Sequence, residues 1–339
     1  MEFGLVLNNG IFDGIDDARA LALTVETADL AEALGYDELW VTEHHFMAYG
    51  ICPSAISLAG FLLGRTSRIR VGTAVTLAPL VHPVALAEQT ALNDHLGGGR
   101  FDLGLGRGGY KADYEVFGIP PTRWEAEVGA TVEAVIDALS SDEATSTNPY
   151  FPYEGVSVRP RPLTRPHPPI YVASTSPDSL QAAARHRLPL QFHHGIPGAE
   201  PRIEIEAEYR RLADQAGWDG AADHLHTVVC FVDDDEGVAR ERLTRGLIES
   251  WLTGQHPNFN RLEHSGDRDE VREARAAQIV DRSPIGPPDV VADWFDDFTR
   301  ATGASKLGLY MEADGDPGRV LTSVRRFAEE VRPRLRGRR

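Results

Sequence analysis

Cysteine is almost missing from this 339-residue chain, which has only Cys52 and Cys230. The two are far apart in sequence, so no disulfide framework is implied and a reducing compartment is the natural setting. Cationic residues are also scarce. Lysine and arginine number 34 against 51 acidic residues, a net charge of −17, which argues against nucleic acid or an anionic membrane as the main partner. The one basic run, residues 332–339, reads as a solvated helix end suited to the helix dipole, with a binding role as the alternative. No uncharged apolar run approaches the ~18 residues needed to cross a bilayer. The start, Met1-Glu2-Phe3-Gly4-Leu5-Val6, lacks a basic leader segment, so no signal peptide is expected. A soluble, cytoplasmic protein follows as the expectation. With 42% hydrophobic and 25% charged residues, nothing suggests disorder, and one large core is feasible.

What the chain does have is a regular alternation of short apolar runs and helical patterns. Strands are predicted at 3–7, 38–41, 69–75, 101–105, 170–173, 188–192, 227–232 and 306–311. Helical stretches are predicted at 18–34, 55–65, 84–95, 125–139, 178–186, 203–216, 236–252 and 290–301, with a last helix at 319–331. Eight strands alternating with helices make an α/β protein, a (β/α)8 barrel of the TIM type forming a single domain over 1–339. Two insertions break the rhythm, after strands 4 and 7. The first, 140–169, is rich in Ser, Thr and Pro and reads as an inserted hairpin around 150–158. The second, 254–286, is long and charged. It reads either as a mobile lid over the barrel mouth or as a plain surface excursion.

Chemistry gathers where strands end. Leu39-Trp40-Val41-Thr42-Glu43-His44-His45-Phe46 runs an apolar strand directly into two imidazoles and a carboxylate, and the carboxyl ends of parallel strands are where barrels meet ligands. Alternation lets one imidazole, His44, point into the mouth while its neighbour packs behind. Val71-Gly72-Thr73-Ala74-Val75-Thr76 closes strand three with small side chains that let a flat ligand approach the backbone. Gly104 to Gly109 fits G-x-G-x-x-G, but no helix opens at its third glycine, so a dinucleotide fingerprint is the poorer reading. Arg107 in that run offers a forked cation suited to phosphate. After strand five, Ser176 with Pro177 can cap a helix, and the hydroxyls of Ser174, Thr175 and Ser176 at a helix N-terminus would complete an anion cradle. Phe192-His193-His194-Gly195 and Glu312 with Asp314 follow strands six and eight. A metal hydrolase reading of these ranks third, since the i, i+4 zinc spacing is missing and no H-x-H pair closes strand one. No metal is assigned.

Taken together, these residues resemble the bacterial luciferase-like family of flavin-dependent monooxygenases over essentially the full length. The matching pieces are Glu43-His44-His45-Phe46, Val71 to Val75 with His82-Pro83, Gly99-Arg100-Phe101, Arg107-Gly108, Tyr110 with Asp113 and Phe117-Gly118, Pro284 to Pro288, and the Val331–Pro333 neighbourhood. The resemblance implies reduced FMN at the barrel mouth, its phosphate held by Arg107, Thr175 and Ser176, with Gly106, Tyr110, Ser174 and His194 also about the cofactor. It implies a non-prolyl cis peptide between Ala74 and Val75 beneath the flavin ring, and catalytic roles for His44 and Asp113. His45, Phe46, Phe192 and Glu312 would line the substrate pocket. The implied reaction uses reduced FMN from a separate flavin reductase and O2 to oxygenate a small organic substrate through a C4a-(hydro)peroxyflavin, with a homodimer as the assembly. Gly106 stands where light-emitting members carry cysteine, His194 where they carry tryptophan, and the lid looks shorter. These departures point away from a long-chain aldehyde and from light emission. The alternatives are a reductase or dehydrogenase dependent on the deazaflavin coenzyme F420 on the same fold, and a non-catalytic flavin-binding protein.

Overall fold

The computed structural model describes residues 1–12, 14–126, 128–174, 176–252 and 269–337. Eight parallel strands close on themselves: β1 (Glu2–Leu7), β2 (Glu38–Val41), β3 (Arg70–Thr73), β4 (Phe101–Gly106), β5 (Ile170–Ala173), β6 (Leu190–Phe192), β7 (Leu225–Val229) and β8 (Lys306–Tyr310). Each pairs with its sequence neighbour, and β1 with β8 completes the ring. Around it pack α1 (Asp17–Ala33), α2 (Ala55–Arg65), α3 (Pro83–Leu96), α4 (Val128–Ser140), α5 (Pro177–His186), α6 (Glu200–Gln215), α7 (Glu236–Gly246), α8 (Asp269–Asp281), α9 (Pro288–Thr302) and α10 (Pro317–Arg326). Local chemistry sets several helix starts. Asp16 and Ser54 each accept from a backbone amide of the first turn, satisfying a donor the helix cannot.

Three boundaries differ most from the sequence reading. The third strand stops at Thr73, the Ala74–Val75 bond is cis, and Thr76–Leu77 then rejoin the sheet beside Leu105 and Gly106. The seventh strand ends at Val229, and Phe231–Val232 leave the barrel to pair with Ile285–Gly286. The helix expected at 125–139 is two pieces, Thr122–Ala126 and α4. The first insertion does form a hairpin, with strands Ala144–Ser146 and Tyr153–Val156, so residue 150 lies in its turn. Within the second insertion, residues 254–268 lie outside the described residues, 269–281 form α8, and Ile285–Gly286 form the strand just named.

Side chains alternate along a strand, and here that parity divides the barrel into a lumen set and a helix-facing set. Trp40 fills the lumen, its ring lying where a Cβ on Gly72 would stand, only 2.3 Å away. Above it, Gly104 is pressed against the Thr73 carbonyl and the Gln191 side chain. At the opposite end from the strands' carboxyl termini the lumen is charged but paired. Lys306 meets Glu38, Glu38 Oε2 accepts from Trp40 Nε1 at 2.8 Å, and Arg70 Nε donates to Asp102 Oδ2 at 2.9 Å. Burial raises Glu38 to about 7 even though Lys306 opposes it, so breaking this set would leave a charge without its partner. Leu5, Leu39, Val71 and Leu103, on the other parity, are buried beneath the helices.

This packing predicts a contrast between two glycines. Gly104→Ala would place a Cβ 2.0 Å from the Thr73 carbonyl oxygen, so thermal unfolding should show a loss of at least ~1–3 kcal/mol. Gly64→Ala on α2 meets nothing within 4 Å and should gain about 0.5–1 kcal/mol. Equal melting of the two variants would refute the lumen packing.

Candidate active site at the barrel mouth

The lumen parity of β2 carries on past its end. Trp40 and Thr42 share a parity with His44, and Thr42 Oγ1 donates to Asn8 Oδ1 at 3.0 Å at the end of β1. The His44 amide donates to the Cys52 carbonyl at 3.0 Å, and its ring stands edge-on to Tyr49 at 4.6 Å. Nδ1 of His44 is buried, has no hydrogen-bond partner and lies against Gly50. Burial, together with His193 and His45, lowers this imidazole to about 3, so it is neutral at ordinary pH. Glu43, on the opposite parity, accepts from the amides of Ala55 and Leu77 at 2.8 and 2.9 Å. It fastens the end of β2 to α2 and to the chain beyond the cis bond. Burial raises its carboxyl to about 7.

Three adjacent strand ends make a continuous floor. A Cβ on Gly106 would lie 2.6 Å from Val75 Cγ2 and 3.1 Å from Ala173 Cβ, so Val75 occupies the space a side chain at 106 would need. Because β4 and β5 are neighbours, Arg107 and Ser174 leave the sheet side by side. Arg107 stacks on Trp124, its guanidinium carbon 3.7 Å from the ring centroid, and donates to the Trp124 carbonyl at 3.3 Å. Lys111 approaches the same indole at 4.9 Å, and Trp124 Nε1 donates to the Gly108 carbonyl at 3.1 Å. Asp113 is buried in the short helix Lys111–Val116 of this arm, beside Tyr114. The inserted hairpin braces the arm from outside, with Phe151 under the buried Arg123 guanidinium at 4.3 Å.

Opposite the arm, Ser176 and Ser179 cap α5 reciprocally, and Ser174 donates its amide to the Gln191 carbonyl at 3.2 Å. Thr175, expected to share this cradle, lies outside the described residues. From β6, the His194 ring stacks on Tyr310 at 4.5 Å and lies 4.0 Å from His193. Burial is the first cause that keeps both of these imidazoles neutral, with Arg202 adding to it, and His193 is held at about 4. His44 and His193 also lower His194, so the three imidazoles oppose one another's protonation. At the rim, His45, Phe46 and Phe117 form a ring cluster with centroids 4.9 to 5.7 Å apart, and Phe46 is 44% exposed. A cavity of about 650 Å³ opens between the turn after β6 and α8, lined by Gly195, Pro197, Ala274, Arg275, Gln278 and Ile279.

Two expected pocket residues are placed elsewhere. Phe192 faces the helix layer, stacked on His226 at 4.6 Å, because Gln191 takes the lumen parity of β6 and donates to the Thr73 carbonyl. Glu312 is buried and its carboxylate accepts from the amides of Asn8 and Gly10, at 3.0 and 3.4 Å, so it shapes the loop after β1. Conversely, Tyr310, Tyr49 and Trp124 were not singled out from sequence as part of the site, and His193 was noted only in the cluster weighed for metal binding. Only Tyr310 carried a usable signal, since Lys306, Gly308 and Tyr310 share one strand parity.

A family profile described as luciferase-like monooxygenase matches residues 1–306. The chain belongs to that family. Among its relatives, the alkanal monooxygenase alpha chain of Photorhabdus luminescens is 27% identical over 355 residues, covering 99% of this chain and 97% of that one. The crystal structure of monooxygenase RslO1 from Streptomyces bottropensis superposes with a TM-score of 0.82 at 24% identity, covering 98% and 99% of the two chains. The oxygenating constituent of 3,6-diketocamphane monooxygenase from Pseudomonas putida, solved in complex with FMN, gives 0.77 at 19%, covering 99% and 98%.

The neutral imidazoles give a signed expectation. A histidine held at about 3 in the fold but near 6.5 when unfolded makes the unfolded state bind more protons between those values, so stability falls as pH drops through that window. In His44→Gln, melting temperature should decline less steeply from about pH 6.5 to 4 than in the wild type. An unchanged slope would mean that His44 is not buried neutral.

Proposed function

We propose that this chain is a flavin-dependent monooxygenase that takes reduced FMN from a separate reductase and uses O2 to oxygenate a small organic molecule. One observation carries the reading. A floor of small groups (Val75, Gly106 and Ala173) lies between an arginine beside a serine-capped helix start and a neutral buried histidine. The residues fit the cofactor. The Gly106 cradle admits a flat ring close to the backbone, Arg107 with Ser174 and Ser176 would hold the phosphate, and the orphaned His44 Nδ1 marks a polar group awaiting a partner. When bound, reduced FMN supplies the two electrons that let one oxygen atom enter the substrate while the other leaves as water.

The chain's own groups do the rest. Glu43 and Glu312 hold the loops that carry His44 and Asn8. Asp113, buried in the arm with Arg107, is assigned to holding that arm. His44 and His194 face the reacting end as neutral imidazoles able to accept a proton. A negative charge placed between them would raise His44 from about 3 toward the working range. The rim rings of His45, Phe46 and Phe117, with the cavity beside α8, would receive the substrate and exclude water. Phe61 on α2 and Leu92 and Leu96 on α3 are exposed apolar side chains on neighbouring helices, suited to the homodimer included in this reading.

Enzymes dependent on coenzyme F420 share the fold, so the test sets the two cofactors side by side. Anaerobic titration should show reduced FMN bound more tightly than reduced F420, with Arg107→Ala weakening FMN at least about tenfold, the cost of a charged hydrogen bond. His44→Ala should cut flavin-coupled oxygenation ~100-fold or more with little change in FMN affinity. Turnover of F420 in place of FMN would sink the proposal, and full activity in His44→Ala would remove the base.

A further inference from the structure

Behind the mouth, on the helix side of β6 and β7, lies a buried polar cluster that the reading above does not use. Its centre is Arg202, the third residue of α6, which is 1% exposed. Nε donates to the Gly198 carbonyl at 3.1 Å, and Nη2 is shared among the carbonyls of His193, Ile196 and Thr227 at 3.3, 2.9 and 2.8 Å. The guanidinium carbon lies 5.8 Å from the Phe192 ring and 5.6 Å from that of Phe298 on α9. Three carbonyls of one turn and one of β7 are therefore held by a single side chain. That turn carries His193 and His194, and His193 Nδ1 accepts from the Gly195 amide at 2.9 Å within it.

We infer that Arg202 is a positioning residue for the barrel mouth, fixing the stance of the His193 and His194 imidazoles by tying the 193–198 turn to β7. The inference deepens the proposed oxygenase site and rests on the mouth being that site. A lysine would not serve equally, because its single nitrogen cannot take both the Gly198 carbonyl, held by Nε, and the three carbonyls held by Nη2. The surroundings show that the residue is not merely an ion-pair partner. Glu206, one turn along α6, faces Arg202, Arg210 and His226, with His226 Nε2 3.4 Å from its Oε1. Yet Nη1 of Arg202, Oε1 of Glu206 and Nδ1 of His226 are all buried without a hydrogen-bond partner. The guanidinium's hydrogen bonds thus run forward to the turn and not back to the carboxylate.

Charge acts in the same direction as geometry. The groups facing the two imidazoles are Arg202 on α6, Arg275 on α8, His44 after β2 and Tyr310 on β8. Behind Arg202 stand Glu206 and Arg210 on α6, with His224 just before β7 and His226 on it. Removing the Arg202 charge leaves His193 with one cation fewer to oppose its protonation.

The test needs neither flavin nor substrate. Protein labelled with [13C]histidine is titrated by NMR, with His193 and His194 assigned through His193→Gln and His194→Gln. In Arg202→Lys, which keeps the charge and loses the fork, both mouth resonances should move while those of His82 and His95, far from α6, stay. In Arg202→Met combined with Glu206→Gln, which avoids an unpaired buried carboxylate, His193 should titrate roughly one unit higher. Unchanged His193 and His194 resonances in the lysine variant, even with a lowered melting temperature, would reduce Arg202 to a structural clamp and overturn the inference. Should the double variant fail to fold, the lysine variant alone decides. Failure of wild-type protein to bind FMN would count against the proposed function and leave this result standing.

Discussion

Strand parity in a closed parallel barrel is the constraint on which every other feature depends. Once Trp40 takes the lumen, Thr42 and His44 follow it inward and Glu43 is turned toward the backbone of α2. The same rule sends Gln191 into the lumen and Phe192 out to the helices. A one-residue slip of β2 would exchange these sets, leaving a tryptophan against the helices and a carboxylate in the mouth. Glycine at positions 72 and 104 is the other half of the constraint, because the lumen has no room for both a tryptophan and a second layer of side chains.

The mouth formed in this way is polar in residue type and uncharged in state. His44, His193 and His194 would each carry a proton in water near their ordinary values, but here burial and mutual proximity hold them neutral. Buried carboxyls respond in the opposite sense, Glu43 and Glu312 rising to about 7 for the same reason. The carboxyls accept from backbone amides, and the rings of His44 and His194 pack on Tyr49 and Tyr310. Arg107 and Lys111 stand to one side, on Trp124, while Arg202 and Arg275 face the imidazoles after β6. A ligand with an anionic tail and a flat head meets a surface divided in the same way.

Much of this organisation could be read along the chain. Seven of the eight strands were placed within about two residues, because each is a short apolar run between turn residues, and the order of helices followed from their 3.6-residue patterns. His44, Arg107 and the Ser176 cap are legible for a local reason, since each sits immediately past a strand or at a helix start. What escaped is what depends on contact across the fold. The partnership of Arg107 with Trp124 spans 17 residues and no spacing announces it. Phe192 was assigned to the pocket through the family resemblance, and its place at a strand end says nothing of which face it takes.

By itself, then, the sequence determined the α/β class, the barrel, the family resemblance and the strand ends at which chemistry collects. These are properties of periodicity and of adjacent residues, and they survive any error in register. Only the tertiary structure decided which neighbours face inward, that the Glu312 carboxylate accepts from the loop after β1, that the imidazoles after β2 and β6 are held neutral, and that Arg202 binds the carbonyls of the 193–198 turn. The reason is physical. Burial, protonation state and orientation are set by groups brought close from distant parts of the chain, and no local pattern encodes those distances.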